Sequence, residues 1–516
     1  MDSQTQPREP HGPLRAAQEY VISLWPSLPF LGFAFCAAWT ALAHGTAWLS
    51  PGETSGVALT NLFTVLFVAM GASLVALGLL FRRFPSIARM GNAATIAAGA
   101  LASCGTLALL MVGPAYLQRA LGGSTFFVFQ AASVLTGVSM GVLYLRLGVT
   151  YAKLPLRRAV LYLCYSNLLA VFIYLAVQAS PGWAPASNSP SLAFIIAFVA
   201  LPLLASLTLC LDSDVSLRAL NCASAPAEEG GGARPDGTIT RPMAFFAVAL
   251  GIFAFVQAAV SSAVTNSISP VYTLASESLV MLVRVPLLLV FAMFASTLES
   301  SRLNFGRLLE ALVCVLLFII LLGMVISMSE TAWLVPVRMV VFGFEVLTWC
   351  MVIAVANCNQ RDAATVISFE YGLYSLGTGL GTIAGVRLLS GSGQTVLLVV
   401  CAALLVPCFF LLSGDNIGGL FGPGESLQSL LGGRLRGQRA KGDFRLRLEA
   451  YAKQNGLSDR EAETLQYLVA GRGDSQIAEA MGISYNTART HVRNVYSKLG
   501  VHDRQTLIDV IDERLR

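Results

Sequence analysis
Hydrophobic residues in this chain come first in blocks and only later at regular intervals. Twelve apolar windows, at 22–43, 57–80, 93–112, 125–145, 160–178, 191–210, 242–262, 276–297, 308–328, 335–356, 365–389 and 395–413, follow one another across polar connections. Each is close to the ~20 residues that an α-helix needs to cross a hydrocarbon core about 30 Å thick. Beyond residue 413 the blocks stop. From Ser458 onward apolar positions recur three and four residues apart, the period of a helix half-buried in water. The pattern predicts an all-α chain: a polytopic membrane helix bundle of twelve spans, then a small soluble domain of four helices.

The helix boundaries of that domain are written in its polar residues. Ser458 stands three positions before Glu461, a capping box, and Ala462, Leu465 and Leu468 supply the buried stripe of a first helix. "AGRGD" breaks it, and Asp474 is expected to cap a short second helix that Gly482 stops. Ser484 caps a third helix with core positions Ala488, Val492, Val495 and Leu499, and a fourth is expected over about 504–515. The turn "MGIS" joins the second and third helices into a helix-turn-helix, whose second member enters the major groove of DNA.

Composition agrees with a division into two parts. Of the 516 residues 55% are hydrophobic and 12% charged, where a soluble domain is about a quarter charged, so a single soluble globule is excluded. Residues 1–413 hold 19 Lys or Arg and 16 Asp or Glu, while the last 103 residues hold 15 and 13. The apolar stretch from Val21 to Ala43 is too long for a signal-peptide core and reads as the first span. Cysteines 36, 104, 164, 210, 314, 350, 401 and 408 lie in apolar runs without CxxC spacing and are expected to be small buried hydrophobes.

Orientation follows from the basic residues between windows. The N-terminal tail and the loops on its side hold fifteen Lys or Arg, and the opposite loops hold Arg119 alone. Positive charge stays in the cytoplasm, so both termini are expected there, in a multi-pass protein of a bacterial cytoplasmic membrane. This gives a cytoplasmic tail over 1–21, a first six-span half over 22–210, a flexible cytoplasmic linker over 211–241 and a second six-span half over 242–413. A Gly-rich, then basic, linker follows over 414–455, with six Lys or Arg and one acid in 434–447, and the DNA-binding domain occupies 456–516. Two six-span halves about a polar linker resemble the major facilitator superfamily (MFS) of secondary transporters, in which substrates bind between the halves. The family's loop signature after span two is partial: "GLLFRRFPSIARMGN" keeps Gly78, Arg82, Arg83 and Arg89 but carries no acid.

The segment "LSDREAETLQYLVAGRGDSQIAEAMGISYNTARTHVRNVYSKLGVHDR" resembles the LuxR family of DNA-binding domains. The matching positions are Leu457, Arg460, Glu461, Ile477, Ala478, Ile483, Ser484, Thr487, Arg489, His491, Asn494, Lys498, Leu499, Gly500, Val501 and Arg504. Read from the helix alone, Arg489, Thr490 and Arg493 lie on the face opposite the core. An arginine there can pair bidentately with guanine. Tyr485, Asn486, Thr487 and Lys498 flank that face and are placed for phosphate. The resemblance implies base contact by Arg489, Thr490 and Arg493, and a homodimer on double-stranded promoter DNA through the last helix. The domain itself has 8 Lys or Arg against 9 acids, so the motif rather than net charge carries this expectation.

Ionisable residues inside the windows are confined to the second half: Glu277 and Arg284, Arg338 and Glu345, Glu370 and Arg387. Such groups are costly in lipid and face a cavity or a partner. Two readings stay open. Arg284, Arg338 and Arg387, with Glu345 and Glu277, line an outward-open pocket for a small anionic or polar aromatic ligand, or they form interhelical ion pairs that fix the packing. The glycines of window eleven, Gly372, Gly377, Gly379, Gly381 and Gly385, follow no strand and point to close helix packing, as do Gly137 and Gly141. No nucleophile with a base, metal cluster or phosphate loop is visible. The expectation is a non-enzyme without catalytic residues, metal or cofactor. It is a membrane-embedded transcriptional regulator that senses a small molecule, or alternatively a secondary transporter with a regulatory DNA-binding tail.

Overall fold
The computed structural model describes residues 13–45, 58–88, 91–112, 124–179, 192–211, 213–220, 241–266, 270–297, 305–325, 330–358, 362–388, 393–412, 448, 451–469, 473–501 and 506–507. The chain divides into two units, Met1–Leu430 and Leu431–Arg516. Regular structure among the described residues is helical throughout. The Gly-rich and basic segment over 414–447, most of the 211–241 linker, and the fourth soluble helix apart from Thr506 and Leu507 lie outside the described residues.

The first unit contains α1 (Pro13–Leu24), α2 (Gly32–Gly45), α3 (Ala58–Arg83), α4 (Asn92–Val112), α5 (Ser124–Ala152), α6 (Leu156–Gln178) and α7 (Leu192–Leu209). It continues with α8 (Ser213–Ala219), α9 (Arg241–Asn266), α10 (Pro270–Thr297), α11 (Phe305–Val325), α12 (Glu330–Cys358), α13 (Ala363–Leu388) and α14 (Gly393–Leu411). In hydrocarbon only a helix or a closed barrel satisfies its own backbone, which is why apolar blocks of this length become helices. Seven of these helices are long and apolar enough to cross a membrane, or eight if the bent pair Gln18–Leu24 and Leu28–Ala43 counts as one. Ser278–Met293, Leu308–Leu322 and Val399–Leu411 are shorter apolar helices. The protein is therefore a polytopic membrane protein. Large apolar side chains such as Phe172, Ile196, Phe318 and Phe410 face outward, as a lipid-facing surface requires.

The structure corrects three expectations. The first window is not one straight helix, because the chain turns by 86° between Leu24 and Leu28. Cys104 and Cys314 are exposed on the bundle's exterior, whereas the other six described cysteines are buried. Part of the expected flexible linker is helical: α8 is held to the first half by Lys153, which donates to Asp214 at 3.0 Å and Ser213 at 2.9 Å, and by Arg158, which donates to the Leu220 carbonyl at 2.8 Å.

Helix α13 lies at the centre, with its most extensive packing against α9 on one side and α3 on the other. Glycine makes this possible. A Cβ on Gly377, Gly381 or Gly385 would collide with the backbone of Gly251, Phe255 and Ala259 on α9. One on Gly379 would come within 3.0 Å of the Val68 nitrogen, and one on Gly71 within 2.6 Å of the Leu376 nitrogen, across the α3 contact. Gly137 meets the backbone of Leu66 in the same way. Close approach of this kind replaces the hydrophobic effect, which does not drive helix association in lipid. Since α3 belongs to the first half and α9 to the second, α13 joins the two.

The second unit has α15 (Asp459–Val469), α16 (Asp474–Met481) and α17 (Tyr485–Leu499). Leu465, Leu468, Ile477, Ala488, Val492, Val495 and Leu507 close its core. Leu448 and Ala452, from a helical turn upstream of α15, are buried in the same core.

Candidate functional sites
The helix-turn-helix is fixed at each junction by a local hydrogen bond. Ser458 and Glu461 form the reciprocal box: the Ser458 amide donates to Glu461 Oε2 at 2.8 Å, and the Glu461 amide donates to Ser458 Oγ at 3.4 Å. Asp474 is the first residue of α16, and its side chain, expected to cap the helix, lies outside the described residues. Gly473 precedes the helix, and its amide donates to Gln476 Oε1 at 3.2 Å. Gly482 takes a left-handed conformation, φ +63°, while the Ile483 amide returns to the Ala478 carbonyl. Ser484 then caps α17 by accepting from the Thr487 amide at 3.2 Å. Gly500, at φ +66°, ends it. Replacing Ser484 with alanine is expected to cost about 1 kcal/mol, read as faster amide exchange in the first turn of α17.

Along α17, Ala488, Val492 and Val495 are buried, while Arg489, Thr490 and Arg493 are exposed on the opposite face. Among the described residues neither guanidinium is tied to a neighbour, so both are open to a ligand. The Thr490 hydroxyl donates to the Asn486 carbonyl at 2.9 Å, which leaves its oxygen as an acceptor and its methyl as an apolar contact. Tyr485 and Asn486 are exposed at the start of the helix, and the Thr487 hydroxyl lies 2.8 Å from Ser484 Oγ within the cap. Lys498 also has partners within the domain. Its ammonium donates to Glu461 Oε2 at 2.7 Å and to the Gly456 carbonyl at 3.0 Å, so it clasps the end of α17 to the start of α15.

This clasp makes a pH prediction. The Lys498 ammonium and the Ser458 amide stabilise the Glu461 carboxylate and lower its pKa from 4.5 to about 2. A carboxyl depressed in the folded state contributes stability above its unfolded pKa and loses it as pH falls through the folded value. The contribution is therefore full above about 4.5 and fades toward about 2. Glu461→Gln is expected to remove it, at a cost of about 1.5–3 kcal/mol by the usual worth of hydrogen bonds to charged groups. Amide exchange of α15 and α17 across that pH range checks this.

In the membrane unit one pair of described ionisable residues approaches across helices. The Arg284 guanidinium, from α10, sits over the Phe342 ring of α12 with Cζ 4.4 Å from the centroid, and Nη1 donates to Met281 Sδ at 3.6 Å. Glu345, one turn beyond Phe342, is close enough to Arg284 to feel its charge, and also to Tyr144, Tyr371 and Tyr374. Those tyrosines belong to an aromatic cluster that the sequence did not reveal. Trp349 lies 4.6 Å from Tyr371 and 5.8 Å from Tyr144, and Phe33 lies 5.5 Å from Trp349, so α2, α5, α12 and α13 all contribute. Gln257 of α9 donates to the Tyr374 hydroxyl at 3.3 Å. Trp349 Nε1, Gln257 Oε1 and both oxygens of Glu370 are buried and, among the described residues, have no hydrogen-bond partner. Arg338 lies on α12 one turn before Phe342 and is half-buried. The side chains of Glu277 and Arg387 lie outside the described residues.

Residues 455–511 match the family described as bacterial regulatory proteins, luxR family. The C-terminal unit holds a luxR-family DNA-binding domain. Within this luxR domain the chain is similar to the Fimbriae Z protein of Escherichia coli (strain K12), 43% identical over 53 residues that make 10% of this chain and 25% of that protein. It is also similar to the HTH-type transcriptional regulator MalT of Serratia proteamaculans (strain 568), 35% identical over 60 residues, 12% of this chain and 7% of that one. The chain thus spans a quarter or less of these curated relatives. Over the membrane unit the likeness is to solved transporters. A bacterial homologue of the iron transporter ferroportin aligns with a TM-score of 0.52 and 9% identity, covering 75% of this chain and 98% of that one. The MFS proton:xylose symporter XylE aligns at 0.49 and 15%, covering 81% and 99%. At such identities the likeness is one of fold alone, a transporter-like helix bundle in a chain that also carries a luxR domain.

Proposed function
We propose that this chain is a membrane-embedded one-component transcriptional regulator with both termini in the cytoplasm. Its bundle senses a small molecule, and its luxR domain binds promoter DNA, as a homodimer on paired half-sites. The observation that carries the reading is the join itself: a helix with an open arginine face shares one polypeptide with a lipid-soluble bundle whose interior keeps polar groups unpaired. Buried Trp349 Nε1 and Gln257 Oε1 without partners are each costly, and a ligand that engages them recovers that cost. Arg284, Arg338 and Glu345 are assigned to the same ligand site, with Glu277 and Arg387 joining them by their positions in the sequence. A ligand acts here by binding one state of the bundle better than another, which changes how the luxR domains are presented or paired.

The reading is tested by mapping bound DNA across the genome with and without a panel of small molecules. For a compound that changes the map, Arg284→Ala and Arg338→Ala are expected to shift the dose response by about tenfold or more, about 1.4 kcal/mol. Unchanged dose responses in stably inserted variants remove these arginines from the site. A second reading, a secondary transporter with a regulatory tail, is favoured by the fold of the ferroportin homologue. It predicts substrate uptake into vesicles by a chain truncated at Ser413.

A further inference from the structure
The turn that breaks the first window is built rather than frayed. Residues 28–30 form a short 3₁₀ turn in which Pro29 and Phe30 are buried. Phe30's carbonyl accepts from the Tyr151 hydroxyl of α5 and from Ser166 Oγ of α6, the latter at 3.2 Å, and its ring stacks on Tyr162 at 5.5 Å. Two membrane helices thus hold the chain at the point where it changes direction. Helix α2 continues into the bundle, and α1 meets it at 86°, so α1 does not extend α2 along the same line.

Helix α1 exposes one kind of residue on one side. Tyr20 is 66% exposed, Leu24 69% and Trp25 53%, with Val21 also exposed, while Ile22 is buried. At 100° per residue Tyr20, Leu24 and Val21 fall within an arc of about 100°, Ala17 occupies a position inside it and Leu14 one at its edge, and Trp25 follows directly after the helix ends at Leu24. Arg15, Glu19 and Ser23 occupy the other side. The helix also packs against α8, so it is seated on the bundle. Left in water, this segment would expose two aromatic rings and two aliphatic side chains. Tyrosine and tryptophan are enriched where headgroups meet acyl chains, and an amphipathic helix lying in that layer buries its apolar face to a depth of about 5–10 Å. At the same end of the bundle α3 exposes Leu79 and Leu80, and the turn after it exposes Phe84 and Ile87, which continue the lipid-facing surface.

We infer that α1 is an interfacial anchor: it lies flat in the leaflet on the N-terminal side and sinks Tyr20, Val21, Leu24 and Trp25 between headgroups and acyl chains. The partner is the lipid surface itself, and the role is independent of what the bundle senses. Photo-crosslinking tests it. The full chain carries p-benzoylphenylalanine at one position at a time, 19, 20, 23 or 24, in vesicles of phosphatidylethanolamine and phosphatidylglycerol, and adducts are identified by mass spectrometry. The expected result is lipid adducts at 20 and 24, attached at the glycerol backbone or the first acyl carbons, and none at 19 and 23. Adducts at 20 and 24 with a second copy of the chain or with residues 431–516, attachment near the acyl methyl ends, or no adduct at either position would each overturn it.

Discussion

Replacing Arg489 or Arg493 with alanine is expected to weaken operator binding by about 1–3 kcal/mol each, roughly 5- to 150-fold, and to relax base preference at the position each one reads. Both guanidiniums are exposed on the face of α17 opposite Ala488, Val492 and Val495, so the loss falls on DNA contact and leaves the core untouched. Lys498→Ala separates this from a general effect of charge. A lysine that contacts phosphate lowers the salt dependence of binding when removed, by about one unit of slope. Lys498 is already committed to Glu461 and Gly456, so its removal is expected to lower the stability of the domain and leave the salt slope unchanged. Titration of a bound promoter fragment at several salt concentrations reads both outcomes.

The second large effect is expected in the membrane unit. Gly381→Val or Gly377→Val places a branched side chain against the backbone of α9 at Phe255 or Gly251. A flexible side chain gives way to an added methyl, but a helix backbone does not, so the helices must part. Overpacking a core costs about 1–3 kcal/mol where neighbours can adjust, and these sites are expected to reach or pass the upper end. Gly343→Ala is the control, because its nearest neighbours are Leu312 methyls at 3.6 and 3.7 Å, an ordinary contact. The yield of monodisperse protein and its thermal midpoint in detergent should fall for the first two variants and hold for the third.

What could be read beforehand follows the range of the interactions involved. The box of Ser458 and Glu461, the Ser484 cap and the stop at Gly482 act within a few residues, and the sequence displays them. The exposed face of α17 opposite Ala488, Val492 and Val495 follows from its period alone. The Lys498 clasp does not, because its partner lies 37 residues away and an exposed lysine beside an arginine face looks like a phosphate contact. The turn after α1 was hidden for another reason. A helix lying at the interface and a helix crossing it are both apolar, so the block from Val21 to Ala43 looked continuous, although "WPSLPF" carries two prolines where the chain turns. The aromatic cluster around Trp349 draws on four helices, and the nearness of Arg284 to Glu345 depends on which helices adjoin. Spacing along one helix carries no trace of either.

Leu448 and Ala452 are seated inside the C-terminal core, ahead of residue 455 where the family match begins. A domain cut at residue 455 would therefore lack two of its own interior side chains. Removing either side chain would open a void in that core, so the segment leading into the domain is also part of its fold.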